Sequence, residues 1–205
     1  IVIDPGLALG YRRHGLLPHP AQVAVGEQIR QRILQELRDA TDVVMSHFHG
    51  DHIPLPDANP YQLQAQRAAP LCRTARFWAK GPTGLSRHML QRRAALCKVL
   101  GRDLPNAEER RDGPLVFSPP VPHGERHSRM GQVMMTRIED EGGVFAHASD
   151  IQLLDGEAVS ILLDWQPDIA FVGGPPLYLP RLSSEQRRRA WQNALRLAYH
   201  VETLI

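Results

Sequence analysis

Apolar residues fall along the chain in two rhythms, a period near four in its longer stretches and short unbroken runs between them. Ile1-Val-Ile3 is such a run, closed by Asp4-Pro5-Gly6, a turn in which Pro sets φ and Gly permits a positive one. Residues 7–20 read as a solvated loop, with Arg12, Arg13, His14 and His19 among prolines. From Ala21 to Asp39, Val25, Ile29, Ile33 and Leu37 recur every four residues with Leu34 beside them, which predicts an amphipathic helix. It delivers the chain to a strand over Thr41–Met45. Residues 53–83 are Pro-rich and irregular, with a short strand or helix near Arg73–Trp78. Leu85 to Leu100 is a second helix, with Met89, Leu96, Val99 and Leu100 as its stripe and Gly101 as its cap. Arg102 to Gly113 is a charged connector.

The pattern then turns to β. Strands are expected at Pro114–Phe117, Gln132–Ile138 and Val144–Ser149, the last two joined by a hairpin turn at Glu139–Gly143. Glu157–Trp165 reads as a short helix and Ile169–Val172 as a strand. Ser183–His200 is a long helix opened by a Ser183-x-x-Gln186 capping box, with Ala190, Trp191, Ala194, Leu195 and Ala198 facing inward. Val201–Ile205 is a final strand. Helices interleaved with strands, without an internal repeat, give a layered α/β domain.

A chain of 205 residues supports one substantial core, or at most two small domains. Its 42% apolar and 22% charged residues are ordinary for a globular protein. No apolar run approaches the roughly 18 residues a membrane helix needs. The formal charge is only +2, and of the 24 basic residues only Lys80 and Lys98 are Lys. Arg suits phosphate contacts, yet GC-rich codon usage produces the same skew, so nucleic acid is not the expected partner. Cys72 and Cys97 lack a Cys-x-x-Cys spacing, which fits a reducing cytoplasm.

The chemistry concentrates in Thr41-Asp-Val-Val-Met-Ser-His-Phe-His-Gly-Asp-His52. Four residues that bind metals, His47, His49, Asp51 and His52, follow directly on a buried strand, whose end fixes their origin. Imidazole and carboxylate are the ligands that zinc, iron and manganese accept. Against a background of ten histidines in the whole chain, three in six residues is a marked concentration.

His47-Phe-His49-Gly-Asp51-His52 resembles, position for position, the His-x-His-x-Asp-His signature of the metallo-β-lactamase superfamily. Asp4-Pro5-Gly6 is similar to its early Asp-Pro-Gly turn. His123, in Pro122-His-Gly124, stands where its next histidine ligand is expected, and Asp150, ending His147-Ala-Ser-Asp150, where its bridging aspartate is expected. The likeness runs over essentially the whole chain. In detail, through Ser118–Gly124, His147–Asp150 and Gly174-Pro-Pro-x-Tyr178, it resembles an archaeal branch of uncharacterised predicted metal-dependent hydrolases. The resemblance implies a single domain over residues 1–205, an αββα four-layer sandwich of two mixed β-sheets flanked by helices, with the metals at one edge. It implies two divalent ions, zinc first, with manganese and iron as alternatives. His47, His49 and His123 would hold one ion; Asp51 and His52 would belong to the other, and Asp150 would bridge them. Three imidazoles leave an open position for water, as in catalytic zinc sites. A metal-bound hydroxide would attack an ester-like or phosphoester bond of a small molecule, with Asp51 as the catalytic carboxylate that orients the water or takes its proton.

Several residues carry two readings. His127 contacts substrate or sits in an exposed loop; His147 packs or supports the site. Asp4 hydrogen-bonds a ligand histidine or caps its own turn. Asp150 could instead cap the helix that follows. Superfamily members carry a further histidine after the last strand, whereas here the chain stops at Ile205 and His200 falls before the strand. The strands that usually precede Asp-Pro-Gly are largely absent too. The expectation is therefore a core lacking both termini of a longer protein, with its second metal short of a ligand. A β-lactamase proper is disfavoured by Asp51-His52, and a processing nuclease by the lack of room for an inserted domain. The alternatives to hydrolysis are an iron-dependent oxidoreductase or oxygenase on the same fold and a non-catalytic binding protein. The loops at 7–20, 53–83 and 174–182 carry no signature that names a substrate, and nothing in the sequence speaks to oligomeric state.

Overall fold

The structure, a computed structural model, describes every residue except Ala8, Arg13, His14, Leu179 and Arg181. The expectation for Arg13 and His14 as loop residues therefore lies outside the described residues. The chain forms two compact units, Ile1–Asn106 and Ala107–Ile205. Both are α/β, and the described residues hold five helices and mixed as well as parallel sheets.

In the first unit, β1 (Val2–Ile3), β2 (Asp42–Met45) and β3 (Arg76–Ala79) form a parallel sheet in that order. Parallel neighbours require a crossover, and α1 (Pro20–Asp39) supplies it between β1 and β2. All four residues of β2 are buried, as suits a central strand. His19, expected in a solvated loop, is the helix cap: its Nδ1 accepts from the Ala21 amide at 3.2 Å and its own amide donates to Gln22 Oε1 at 3.0 Å. The apolar stripe of α1 is buried over its second half only. Leu34 and Leu37 enter the core, while Val25 and Ile29 are 52% and 44% exposed and border an open apolar groove with Leu7 and Leu9. Periodicity sets the direction of such a stripe, not how much sheet lies beneath it.

The irregular stretch contains a single turn of helix, α2 (Ala65–Ala68), before β3 pairs with β2 in the register Asp42↔Arg76. Asp42 locks that register: its Oδ1 accepts from Trp78 Nε1 at 2.8 Å and meets Arg76 at 2.8 Å, and its Oδ2 accepts from Thr41 at 2.8 Å. Burial pushes this carboxyl up, but the Trp78 and Thr41 hydrogen bonds and the Arg76 charge outweigh it and hold the pKa below the ordinary carboxylate value. Helix α3 (Arg87–Leu100) starts on a Ser86 cap and ends on Gly101, in the left-handed conformation at φ 66° that closes helices. Met89 and Leu96 point from it into the core with Leu37, Val43, Met45 and Phe77.

In the second unit, six strands form a mixed sheet in the order β11-β10-β9-β8-β5-β4. These are β4 (Arg111–Asp112), β5 (Leu115–Phe117), β8 (Thr136–Asp140), β9 (Gly143–His147), β10 (Ile169–Phe171) and β11 (Thr203–Leu204). The charged connector thus carries β4, which hairpins onto β5. The expected strand Gln132–Ile138 is two: β7 (Gln132–Val133) pairs with β6 (Val121–Pro122) in a separate two-stranded sheet, and β8 begins at Thr136. Helix α4 (Gly156–Asp164) crosses from β9 to the parallel β10, capped by Asp155, whose Oδ1 accepts from the Glu157 and Ala158 amides. The cap is therefore Asp155 and not Asp150.

Helix α5 (Ser184–His200) has the expected Ser183–Gln186 capping box. Its inward face differs from the expectation: Ala190, Asn193 and Leu197 are buried, whereas Trp191, Leu195 and Ala198 are exposed. Asn193 tolerates the core because its Nδ2 donates to the Leu153 carbonyl at 2.9 Å. Val201, expected to open a strand, ends the helix and is buried with Leu197, Ala170 and Ala146. No helix among the described residues is long and apolar enough to cross a membrane.

Candidate metal centre

Strand β2 ends at Met45, and the motif loop leaves it buried. Ser46, His47 and Phe48 are almost wholly inaccessible, so the backbone of the motif is gripped before it reaches His49. Asp4 grips it from the side. It takes the left-handed conformation at φ 49°, uncommon for a non-glycine residue. There its Oδ1 accepts from the Ser46 amide at 2.7 Å and its Oδ2 from the Ser46 hydroxyl at 2.6 Å. The same Oδ2 lies 2.8 Å from His52 Nδ1. Asp4 thus hydrogen-bonds beyond its own turn, to Ser46 and to His52.

Gly6 makes this approach feasible. A Cβ there would overlap the Ile53 amide nitrogen, the Asp51 carbonyl oxygen and the His52 carbonyl carbon. The Asp-Pro-Gly turn therefore lies flat against the backbone of the motif, which no side chain at position 6 would allow.

The hydrogen-bond network assigns the tautomers. Ser46 gives its hydroxyl proton to Asp4, so at 3.0 Å from it His47 Nδ1 is the donor to the Ser46 oxygen. His52 Nδ1 likewise carries the proton it gives to Asp4. In the neutral rings this makes Nε2 the unprotonated nitrogen. His47 Nε2 faces His49 Nδ1 at 3.0 Å, and His52 Nε2 lies 3.7 Å from Asp51 Oδ2. The His47 ring is edge-on to His49 and 4.0 Å from His52 between centroids. Asp4, His47 and His52 each present a ligand atom within 4.8 Å of the others, a group that could hold an ion. Asp51 is the exposed member, its side chain 58% accessible.

In the second unit, β6 hands the chain to His123 and β7 takes it back at Gln132. His123 is buried, its amide donates to the Gly131 carbonyl at 2.9 Å, and its Nε2 stands 3.1 Å from Asp150 Oδ2. Asp150 follows the end of β9 in a run with three left-handed residues, Ser149, Gln152 and Leu153 at φ 53°, 53° and 57°. Such backbone persists where surrounding contacts over-determine it, and functional loops are a usual place for it. Gly173, just past β10, lies close against this segment: its amide donates to the Ser149 carbonyl at 3.0 Å, and a Cβ there would come within 2.9 Å of that carbonyl and 3.1 Å of Asp150 Oδ1.

The other histidines sort simply. His147 lies flat on Phe171, ring centroids 5.6 Å apart. His200 Nδ1 bonds the Arg196 carbonyl at 2.7 Å at the end of α5. His127 is exposed in the loop after His123, at φ 70°. Sequence reasoning missed Ser46, the hydroxyl that links Asp4 to His47; its place between a strand and a histidine motif was the available signal. It also missed Lys80, fully buried after β3, whose Nζ donates to the Gly81 and Thr83 carbonyls at 3.1 and 2.6 Å.

Comparison with known proteins identifies the family. A family model described as the β-lactamase superfamily domain matches residues 1–175. A UPF0282 protein of Methanosarcina mazei is 49% identical over 205 residues, which are 100% of this chain and 67% of that protein. UPF0282 proteins of Pyrococcus abyssi and Methanopyrus kandleri are 32% and 34% identical, over 87% and 97% of this chain and 61% and 72% of their own lengths. The chain thus spans about two thirds of the length of the curated relatives it matches. With its histidine motif, its Asp-Pro-Gly turn and the family match all covering the same residues, the chain belongs to the β-lactamase superfamily and, within it, to the archaeal UPF0282 branch.

Proposed function

We propose that this chain is the core of a metal-dependent hydrolase acting on an ester-like or phosphoester bond of a small molecule. In this reading residues 1–205 make one domain, the αββα sandwich of the superfamily. His47, His49 and His123 hold one divalent ion; Asp51 and His52 hold a second, and Asp150 bridges the two. Zinc is the first candidate, since imidazole and carboxylate suit it, with manganese and iron as alternatives.

The observation that carries the proposal is the Asp4–Ser46 relay. It orients the His47 and His52 rings through Nδ1, so that in the neutral tautomers Nε2 is the nitrogen left to face a cation. A cluster built only for packing has no need of a buried carboxylate in a left-handed conformation behind two imidazoles. When bound, divalent ions supply an activated water and polarise the scissile group. The chain's own residues do the rest: Asp4 and Ser46 orient, the buried Phe48 and His47 keep bulk water from the back of the loop, and Asp51, exposed at the loop's tip, orients the water or takes its proton.

The test is metal quantitation on purified protein together with a panel of chromogenic phosphodiesters, thioesters and lactones. Zinc or manganese with hydrolysis of at least one class supports the proposal. Iron with oxygen uptake and no hydrolysis would overturn it in favour of redox chemistry, and no metal at all would leave a binding protein.

A further inference from the structure

The second unit has an open cavity of about 380 Å³ beside the loop that leaves His123. His127, Ser128 and Arg129 of that loop line it, together with Gln152 and, from the first turn of α5, Gln186. The loop is held in shape by its own backbone: Ser128 donates to the Glu125 carbonyl at 3.0 Å, and His123 to Gly131 at 2.9 Å. Gln152 lies against Gly124, where a Cβ would come within 2.5 Å of its Oε1. The cavity is therefore walled by the two segments that carry His123 and Asp150.

Its charges are not all equally available. Arg126 is committed: it pairs with Asp155 at 3.3 Å and with Glu157, and both raise its pKa. The Glu125 carboxylate accepts from Gln186 Nε2 at 2.7 Å and faces Arg189 at 4.0 Å. Arg129 has no ion pair among the described residues. The Ser128 oxygen accepts from the Met130 amide at 3.1 Å, which leaves its hydroxyl proton to give. An uncommitted guanidinium, a hydroxyl and an imidazole around one opening form a wall of donors, and donors of this kind bind oxyanions strongly.

We infer that this cavity binds an anionic substituent, a phosphate or a carboxylate, of the molecule on which the chain acts. Arg129 is its principal anchor, with Ser128 and His127 beside it. The inference rests on the hydrolase proposal for the identity of that molecule as a substrate; the anion subsite itself needs no metal.

The experiment therefore removes the metal. The full chain, stripped with a chelator and then dialysed, is titrated with inorganic phosphate and separately with acetate, and the imidazole and Arg side-chain signals are followed by NMR. One saturable site is expected, with the His127 ring shifted. Arg129→Gln should weaken it about tenfold or more, the loss expected for one hydrogen bond to a charged group. Arg188→Gln, an exposed α5 arginine outside the cavity, should leave it unchanged. Phosphate binding tighter than acetate assigns a phosphoryl substituent, and the reverse assigns a carboxylate. Shifts that never saturate, or equal losses in both variants, would overturn the inference. A chain that binds the anion yet hydrolyses nothing when metal is restored would overturn the hydrolase proposal instead.

Discussion

Asp4 and His52, drawn together from the first turn and the end of the histidine motif, share a 2.8 Å hydrogen bond between Oδ2 and Nδ1. The same carboxylate takes the Ser46 hydroxyl and so reaches His47 through one intermediate oxygen. One buried acid thereby sets two rings. Without it each imidazole could carry its proton on Nε2 and turn a donor, not a lone pair, toward a cation.

Replacing Asp4 with Asn isolates that charge. Asn is among the residues that accept the left-handed backbone found at position 4, so the turn should survive. The amide nitrogen that replaces one oxygen cannot accept from His52 or Ser46. Zinc affinity, measured by titration of the stripped protein, is expected to fall about 10–100-fold, as for other partners of metal ligands. Unchanged affinity with a native fold would detach Asp4 from the site.

Gly6 is expected to be as sensitive for a different reason. A methyl group at position 6 meets backbone of residues 51–53, which has no rotamer to escape into. Gly6→Ala should cost about 1–3 kcal/mol as an overpacking change and should displace the motif loop. Both a lower denaturation midpoint and weaker zinc binding are expected, whereas Gly26→Ala, with nothing near its Cβ, should be neutral or mildly stabilising. Equal behaviour of the two variants would contradict the close-approach argument.

Asp150→Asn tests the proposed bridging role. The side chain is partly exposed, 30% accessible, so folding should be little affected and the thermal midpoint should stay within about 1–2 °C, the range of an ordinary surface change. Hydrolysis should fall at least about 100-fold, because one negative charge is lost where two cations are proposed to meet. Full activity in this variant would remove Asp150 from the mechanism.

How much of this was readable in advance follows from what is local. The motif His47–His52 is contiguous and hangs on an apolar run, so the buried strand that carries it was visible in order. The Ser183–Gln186 box and the Gly101 cap are local in the same sense and formed as expected. What the sequence hid depends on partners distant along the chain. Gln132–Ile138 keeps a steady β pattern, yet Gln132 and Val133 pair with β6 while Thr136–Ile138 pair with β5 and β9. A change of sheet leaves no mark on periodicity. Asn193 occupies a core position because a carbonyl forty residues away accepts its amide, and so it shifted the inward face of α5 away from Trp191. Asp4 was legible as part of a turn, but its positive φ and its grip on Ser46 were not.

Asp42 offers a prediction independent of any metal. Burial raises its carboxyl in the folded chain, but Trp78, Thr41 and Arg76 outweigh that and hold it below its ordinary value, which the unfolded chain keeps, near 3.9. A group whose folded pKa is depressed stabilises fully above its unfolded pKa and loses that stabilisation as pH falls through the folded one. The wild-type chain should therefore keep the Asp42 contribution at neutral pH and lose it progressively below about pH 4. Asp42→Asn should be less stable than wild type at pH 7, since it leaves Arg76 without its partner and Trp78 with a weaker acceptor. The two proteins should converge as pH is lowered. Denaturant melts at pH 7, 5 and about 3 measure the gap directly. A gap that stays constant across that range would mean that Asp42 is protonated at neutral pH or that its partners contribute through packing alone.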